Sequence, residues 1–432
     1  MHAIGLRCDD CGKDFELFAT VGRCPACGGL LEFEYDYEAI ARRFSRGSRS
    51  SVGGTIWRWM EVLPIRRRES IVTLGEGGSP LVPSLYVGPK LGLTQLYFKN
   101  DTMMPTGSFK DRGFAVAMSW AKEWGVKRGF TYTSGNAGHS FAAYARRIGL
   151  QGAVLMNSHL DADRYDLQAV LGYPIIKVEY DSFAEIDDLM SQLTAELGSM
   201  QFVNFINPVR HEGMKTYAYE LFDDLDGSIP DHVVQPMGTG GGYWGAYKGF
   251  TELRRLGLTD ELPCMHVVQP AATPPVVRAF ETGLDQCVPT GDASATIARS
   301  IASDDPIGKG RRVLRALKAT GGRAIAVDDD EIKWAMIALG SEGIWAEPAG
   351  AASVAALLQL VASGAINPNS RVVCVITGSG LKEVASLPRA DARAMVPIPS
   401  TVNAVTSVLR SIWPADASAP SGWACDSENP GA

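Results

Sequence analysis

From about residue 75 to about residue 400, the chain repeats one pattern: a short apolar run, a turn rich in Gly, Ser and Thr, and then a helical segment. Strands that alternate with helices predict a largely parallel sheet with helices on both faces. The fold class is therefore α/β, and 432 residues should form two or three domains. The runs that predict strands are Gln95 to Lys99, Gly129 to Thr133, Gly152 to Met156, Pro174 to Val178, His232 to Gln235, Met265 to Gln269, Ala324 to Val327 and Val372 to Ile376.

The charge of the chain excludes two classes of partner. A formal net charge of −7 argues against nucleic acid or an anionic membrane. The first residues lack the apolar core of a signal peptide, and no stretch has the apolar length of a membrane span. We therefore expect a cytoplasmic protein, in which the eight cysteines are thiols or metal ligands instead of disulfides.

Two C-x2-C pairs lie near the start of the chain. Cys8 and Cys11 form the first pair, and Cys24 and Cys27 form the second after twelve intervening residues. Glycine follows the second cysteine of each pair, so two tight turns can direct four thiolates at one tetrahedral zinc ion. We expect a structural zinc that stabilises a segment too small to have its own core. The alternatives are ordinary cytosolic thiols, or a ribbon that folds without metal.

A loop with the sequence M-P-T-G-S-F-K-D-R-G, residues 104–113, follows the predicted strand Gln95 to Lys99 and begins a helix. Ser108 is the expected N-cap, with Asp111 three residues later. The positive end of the helix dipole should lower the pKa of Lys110 from about 10.4, which makes the neutral amine available to attack an aldehyde. Without companion motifs, a lysine at such a position is a solvated surface residue.

Glycine-rich loops supply the companion motifs. One runs from Thr133 to Ser140 and another from Gly238 to Gly242, each between a predicted strand and a helix. Backbone N–H groups at such turns bind phosphate or carboxylate. The alternative for either loop alone is a role in helix packing only. The second loop lacks the G-x-G-x-x-G spacing of a dinucleotide site. With the lysine loop and Thr377 to Lys382, four strand-end loops in one α/β sheet fit the rule that ligands bind at the carboxyl ends of strands.

These motifs together resemble those of the fold-type II pyridoxal-phosphate (PLP) enzymes, which have a tryptophan synthase β-like fold, and specifically those of the threonine synthase family. The resemblance covers about Cys8 to Pro397 and extends to Thr73 to Leu81, Asn207 to Thr216 and Glu342 to Ala349. It implies two parallel-sheet α/β domains after an N-terminal zinc ribbon. The expected divisions are a ribbon at 1–38, a large PLP-binding domain at 39–111 and 236–405, a smaller domain at 112–235, and a disordered tail at 406–432.

The resemblance also implies roles for single residues. Lys110 would hold PLP as a Schiff base, Asn136 would touch the PLP hydroxyl, and Thr377 would face the pyridine nitrogen. A hydroxyl at that nitrogen leaves the ring largely unprotonated, which suits β- and γ-elimination or replacement. The PLP phosphate would bind Gly238, Thr239, Gly240, Gly241 and Gly242. The residues expected to contact the substrate are Thr133, Ser134, Ala137, Arg210 and Lys215.

Some residues depart from the family pattern. Family members usually show G-N-x-G-N where this chain has the loop from Gly238 to Gly242, which looks more like that of dehydratases and cysteine synthases. The usual T-G-H-G-L-K-D contains Ser379 and Glu383 here. Phe205 and Ile206 stand just before N-P-x-R, where family members tend to place small polar groups that help to hold the phosphate of O-phosphohomoserine.

Two basic residues remain as candidate anion binders. Arg210 and Lys215 follow the N-P pair, and a guanidinium pairs bidentately with phosphate. The alternative is that Arg210 forms a structural ion pair with Glu212 or Glu220. The sequence alone leaves both interpretations of Arg210 open.

The resemblance implies a homodimer that converts O-phospho-L-homoserine and water to L-threonine and phosphate, with the Lys110 amine as general base and acid. One alternative is β-replacement on O-phosphoserine, as in cysteate synthase, and another is dehydration of serine or threonine. The glycine loop and Thr239 favour these alternatives. A zinc-ribbon interaction protein on a degenerate PLP scaffold is a third hypothesis, against which the intact Lys110, Asn136 and Thr377 argue.

Overall fold

The computed structural model describes residues 2–17, 22–43, 54–133, 135–157, 162–179, 183–203, 205–388 and 397–412. The chain forms two compact units, Met1–Leu387 and Pro388–Ala432. Ser134, an expected substrate contact, lies outside the described residues, as do residues 413–432 of the expected tail.

The described strands, numbered in chain order, confirm each of the eight predicted runs. They are β1 (Ala3–Cys8), β2 (Asp14–Phe15), β3 (Leu31–Tyr35), β4 (Leu81–Pro83), β5 (Gln95–Asn100), β6 (Arg128–Tyr132), β7 (Gln151–Asn157), β8 (Ile175–Val178), β9 (Met200–Gln201), β10 (His232–Pro236), β11 (Cys264–Pro270), β12 (Ala324–Val327) and β13 (Arg371–Ile376).

The described α-helices fill most of the connections. They are α1 (Tyr37–Arg43), α2 (Val87–Leu91), α3 (Lys110–Glu123), α4 (Asn136–Arg147), α5 (Ala162–Val170), α6 (Phe183–Leu197), α7 (Pro208–Met214), α8 (Thr216–Asp224), α9 (Gly241–Arg255), α10 (Pro275–Glu281), α11 (Arg311–Thr320), α12 (Asp329–Ser341), α13 (Pro348–Ala362) and α14 (Val402–Ile412). None of them, in the described part of the chain, has the length and apolar character that crossing a bilayer requires.

Helix α14 corrects one expectation. Disorder was expected from residue 406, but Val402–Ile412 is helical within the second unit. Its valines recur at 402, 405 and 408, the three-residue spacing that places side chains on one face of a helix. The overall abundance of Ala, Ser and Pro in the tail concealed this local periodicity.

The largest sheet has the strand order β12-β11-β10-β13-β5-β4. All its pairs are parallel except β4 with β5, which is an antiparallel pair at one edge. All residues of β10 are buried because helices cover both faces. Helix α13 packs on β10, β11, β12 and β13, and this apolar helix is buried over most of its length.

The second sheet is fully parallel, with the order β8-β7-β6-β9. Its strands span residues 128–201, inside the smaller domain expected at 112–235. Strand β10, His232–Pro236, belongs to the six-stranded sheet instead, so the expected boundary after residue 235 divides a strand of the larger sheet. The sequence predicts the long parallel strands but not the sheet that each one joins.

The cysteine-containing segment forms a three-stranded antiparallel ribbon, β2-β1-β3. Glu32 on β3 lies 2.7 Å from the Lys248 ammonium on α9 and 3.2 Å from the Arg312 guanidinium on α11. The hydroxyl of Tyr35 donates to Glu212 of α7 at 2.6 Å. The ribbon therefore packs on helices of the larger sheet through buried, charge-assisted contacts.

Helix α13 allows a test of how much its packing on the six-stranded sheet contributes to the stability of the protein. Leu357 is fully buried, so Leu357→Ala should lower the free energy of unfolding by about 2–5 kcal/mol through lost burial and a residual cavity. Urea unfolding followed by circular dichroism measures this difference. Leu284→Ala is the matched control, since Leu284 is 46% exposed and should lose little. Equal losses in the two variants would contradict the packing described.

Candidate active site

Three neighbouring strands of the larger sheet send their carboxyl ends to the same edge. Strands β10, β13 and β5 lie side by side and parallel, so the loops that follow them meet. These are the glycine loop, the loop that begins at Thr377, and the lysine loop. The fourth loop, which contains Asn136, follows β6 of the other sheet. The expectation of four such loops on one sheet was therefore wrong, although residues of all four line one cavity.

Most of the predicted site residues line this cavity. They are Lys110, Thr133, Asn136, Ala137, Gly238, Thr239, Gly240, Gly241, Gly242 and Thr377. Arg210 and Lys215 are not among the lining residues.

The start of α3 is organised by Asp111. Its carboxylate accepts hydrogen bonds from the Thr106 backbone N–H and hydroxyl, both at 2.7 Å, and from the Ser140 hydroxyl at 2.5 Å. The expected N-cap was wrong: α3 begins without a side-chain cap, and among the described residues the buried Ser108 hydroxyl has no hydrogen-bond partner. Asp111 thus ties the lysine loop to α4 and fixes where Lys110 enters the cavity.

The amine of Lys110 is enclosed by protein, although its side chain as a whole is only half-buried. The pKa of Lys110 is lowered to about 7, mainly by burial and also by the positive charges of Arg210 and Lys382, while the Glu347 carboxylate opposes them. Burial disfavours the charged form of an amine. The expected lowering is therefore present, but desolvation is the largest cause, not the helix dipole.

Arg210 is a fully buried guanidinium without an acidic partner among the described residues. Its Nη1 donates to the Phe202 carbonyl at 3.2 Å, and its Cζ lies 3.9 Å from the centre of the Phe114 ring. Its Nε and Nη2 have no hydrogen-bond partner in the described part of the chain. Burial lowers the pKa of Arg210 to about 9. A buried donor without a partner lowers the stability of the folded protein. An anionic ligand would supply the missing hydrogen-bond acceptors, so the arrangement fits a group that binds an anion.

The structural alternative for Arg210 was an ion pair with Glu212 or Glu220. Glu212 instead lies 2.6 Å from Lys215 and from Lys248, and Glu220 lies 2.7 Å from Arg112. Those carboxylates are occupied by other cations, so the alternative is wrong.

Lys215 is used differently from the expectation. Its ammonium is fully buried, 2.6 Å from Glu212 and 3.0 Å from Glu252, and 4.1 Å from the centre of the Tyr35 ring. These contacts belong to the ionic cluster that attaches the ribbon. Lys215, like Arg210, does not line the cavity, but its ammonium is already paired with carboxylates, so its place is structural.

Two glycines of the glycine loop have no space for a side chain. Gly240 has a φ of 102°, and a Cβ there would lie 2.9 Å from Val313. A Cβ on Gly242 would lie 2.7 Å from the Phe109 ring. Helix α9 begins at Gly241, so its first N–H groups lack intrahelical partners and suit a phosphate. Together with the Lys110 amine, this cradle fits PLP.

Sequence analysis missed other residues of the cavity. Glu347 is 1% exposed and lines it, as does the segment from Arg299 to Ser303. Glu347 stands in a stretch that contributed to the resemblance but received no role. The segment from Arg299 to Ser303 has no motif, and only its packing against Gly238 reveals its place, because a Cβ on Gly238 would lie 3.2 Å from the Ile301 Cα.

The four ribbon cysteines converge as expected. Their sulfur atoms all lie within 4.8 Å of one another, with 3.5 Å between Cys8 and Cys27 and 3.8 Å between Cys11 and Cys24. A tetrahedral zinc with bonds of about 2.3 Å requires sulfur atoms about 3.8 Å apart. The residues therefore fit a zinc ion.

Comparison with known proteins agrees with this geometry. A family model described as "Pyridoxal-phosphate dependent enzyme" matches residues 72–378. The solved structure of maize serine racemase has the same fold, with a TM-score of 0.59 at 20% identity over 77% of this chain and 93% of that chain. The fold and the cavity thus define a fold-type II pyridoxal-phosphate dependent enzyme.

Two curated relatives identify the family within this class of enzymes. A threonine synthase of Methanocaldococcus jannaschii is 37% identical over 94% of this chain and 99% of its own length. A threonine synthase of Methanosarcina acetivorans is 35% identical over 88% of this chain and 92% of its own length. This chain belongs to the threonine synthase family.

The Lys110 pKa gives a test of the cavity. The rate at which the apoprotein binds PLP covalently should rise with pH through about 7 and then level off, because only the neutral amine attacks an aldehyde. Stopped-flow absorbance of apoprotein mixed with PLP measures this rate. Arg210→Met removes a positive charge and should move the midpoint to higher pH. A rate that keeps rising into the alkaline range of a solvated lysine would contradict the assignment.

Proposed function

We propose that this chain converts O-phospho-L-homoserine and water to L-threonine and phosphate, as a carbon–oxygen lyase. The observation that carries the proposal is the pairing of two buried basic groups: the Lys110 amine in the cavity, and the Arg210 guanidinium, whose charge acts on that amine and whose Nε and Nη2 are unsatisfied in the described residues. The threonine synthases among the relatives support the choice of substrate.

Four elements would hold the cofactor. Lys110 would bind it covalently, the N–H groups from Gly238 to Gly242 would bind its phosphate, Asn136 its hydroxyl and Thr377 its ring nitrogen. PLP supplies an aldehyde that captures the substrate amine and a conjugated ring that withdraws electrons from the substrate. Thr377 is 3% exposed, so its hydroxyl would be shielded from water at that position.

The remaining groups would bind and convert the substrate. Thr133, Ser134 and Ala137, around the start of α4, would bind its carboxylate, where helix N–H groups lack partners. Arg210 would bind its phosphate through a charge-assisted pair. With a pKa of about 7, Lys110 would take protons from Cα and Cβ and return them, since a general base works best near the operating pH. The Cγ–O bond breaks as phosphate leaves, and water adds its hydroxyl at Cβ while Cγ gains a proton.

The remaining parts of the proposal concern the setting of the enzyme. We infer a structural zinc bound by Cys8, Cys11, Cys24 and Cys27, a homodimeric assembly, and a cytoplasmic location. The net charge of −7 supports the absence of a nucleic-acid partner. Trp345 and Leu381 are exposed and offer apolar surface to a second copy of the chain. The two segments are joined by a hydrogen bond from the N–H of Gly380, the neighbour of Leu381, to the Trp345 carbonyl.

Purified holoenzyme should release phosphate and threonine in equal amounts from O-phospho-L-homoserine, and Lys110→Ala should abolish both. Arg210→Met should raise KM about tenfold to a hundredfold, the loss typical of a hydrogen-bonded charge pair, and Arg210→Lys should lose less. Arg147→Met, at an exposed arginine of α4, is the control. A phosphate assay and amino-acid analysis measure these changes.

Other products would select other reactions. Release of 2-oxobutanoate from threonine would identify a dehydratase, and turnover of O-phosphoserine with a nucleophile would identify β-replacement. Phe205 is buried and stands where the family resemblance implies small polar groups, so these other substrates should be assayed beside O-phospho-L-homoserine. Absence of turnover with O-phospho-L-homoserine would reject the main proposal.

The zinc site has an independent test. Cys24→Ser should lose the bound zinc and lower the melting temperature, because the ribbon is too small to have its own core. Inductively coupled plasma mass spectrometry gives the zinc content. Cys264→Ser is the control, since Cys264 is a half-buried free thiol on β11. Equal zinc content in both variants would contradict the assignment.

A further inference from the structure

The amide of Asn136 is held between opposite charges. Its Nδ2 donates to both carboxylate oxygens of Glu347, each at 2.8 Å, and its Oδ1 accepts from the Lys382 ammonium. The three residues come from the start of α4, the residue before α13, and the loop after β13. Two segments next to the larger sheet therefore hold the Asn136 side chain, which follows a strand of the smaller sheet.

The carboxylate of Glu347 occupies a space that the backbone keeps open for it. A Cβ on Gly378 would lie 2.4 Å from Glu347 Oε1, so only glycine leaves room. The Glu347 N–H donates to the Gly378 carbonyl at 3.0 Å, and Ala346 and Ser379 form an antiparallel bridge beside it. The position of the carboxylate is thus fixed by main-chain contacts.

The arrangement permits one orientation of the amide. The two ends of an asparagine amide have nearly the same shape, and hydrogen bonding decides which end faces which group. A reversed amide would turn its oxygen to the Glu347 carboxylate and its NH₂ to the Lys382 ammonium, which replaces attractive contacts by repulsive ones. In the proposed function Asn136 touches the PLP hydroxyl, so the orientation decides whether it presents a donor or an acceptor there.

We propose that Glu347 and Lys382 are positioning residues, which act on PLP binding by fixing the orientation of the Asn136 amide. The inference rests on the proposed role of Asn136 and adds two residues to it. Neither residue needs to touch the substrate for this role.

The same residues contribute to the charge around Lys110. Arg210 from α7, Glu347 from the start of α13, and Lys382 from the loop after β13 all act on its amine, and only Glu347 raises its pKa. Asp111, the neighbour of Lys110 on α3, is itself held by Thr106 and Ser140. Loss of the Glu347 charge should therefore also lower the pH at which the absorption of Lys110-bound PLP changes.

A double-mutant cycle tests the inference. Glu347→Gln keeps the size of the side chain and removes its charge, and it should weaken PLP binding about tenfold, in line with loss of a charged hydrogen bond. The titrations are made well above pH 7, where the Lys110 amine is neutral in every variant and the direct effect of the Glu347 charge on it drops out. In an Asn136→Ala background the same substitution should then change the dissociation constant less than about twofold, because the amide that it orients is gone. Lys382→Met should show the same dependence on Asn136, and Lys382→Arg should largely preserve binding. Equilibrium titration of apoprotein with PLP, followed by absorbance, measures each constant.

The controls separate this inference from the proposed function. Glu281→Gln, at an exposed acid of α10, should leave PLP binding unchanged. Melting temperatures identify any variant that fails to fold, and Glu347→Asp, which retains the charge, replaces Glu347→Gln in that case. Equal effects with and without Asn136 would overturn the positioning role. PLP binding is measured without substrate, so failure to turn over O-phospho-L-homoserine would reject the proposed function and leave this result standing.

Discussion

The enclosure of the Lys110 amine is the constraint on which the rest of the site depends. Burial disfavours the ammonium form, and the lysine therefore becomes a nucleophile near neutral pH. That burial requires the loops after β5, β10 and β13 to meet at one edge of the larger sheet. It also requires the start of α4, which follows a strand of the smaller sheet, to close the cavity. Asp111 maintains the closure, because its carboxylate bonds both the lysine loop and Ser140 of α4.

The cysteine ribbon is part of the same arrangement and not an independent appendage. Glu32 and Tyr35 of β3 join a buried ionic cluster with Glu212 of α7, with Lys215 directly after that helix, and with Lys248 of α9. Breaking such a cluster is costly, since each member would be left as an uncompensated buried charge. The same short helix α7 carries the guanidinium that the cluster leaves unpaired. The ribbon therefore supports the helix from which the candidate anion binder extends.

Much of the fold was predictable because its signals are local. Apolar runs between Gly-rich turns identified all of the long parallel strands. The spacing of the four cysteines correctly predicted that their sulfur atoms lie close together. The two-residue strands β2 and β9 were missed, since so short a run has no periodicity to detect. Ser108 satisfied the sequence rule for an N-cap, yet the carboxylate of Asp111 organises the loop before α3 instead.

The sequence by itself determined the α/β class, the position of Lys110 at the start of a helix, and the four thiolates, because each depends on residues close together in the chain. Only the tertiary structure decided which charged groups pair. It enclosed Lys215 among carboxylates, left Arg210 without an acidic partner in the part of the chain that the structure describes, and brought Glu347 to Asn136 across 211 residues. The physical reason is that a charge selects its partner by distance and burial after packing, and neither quantity is encoded in the spacing of a motif.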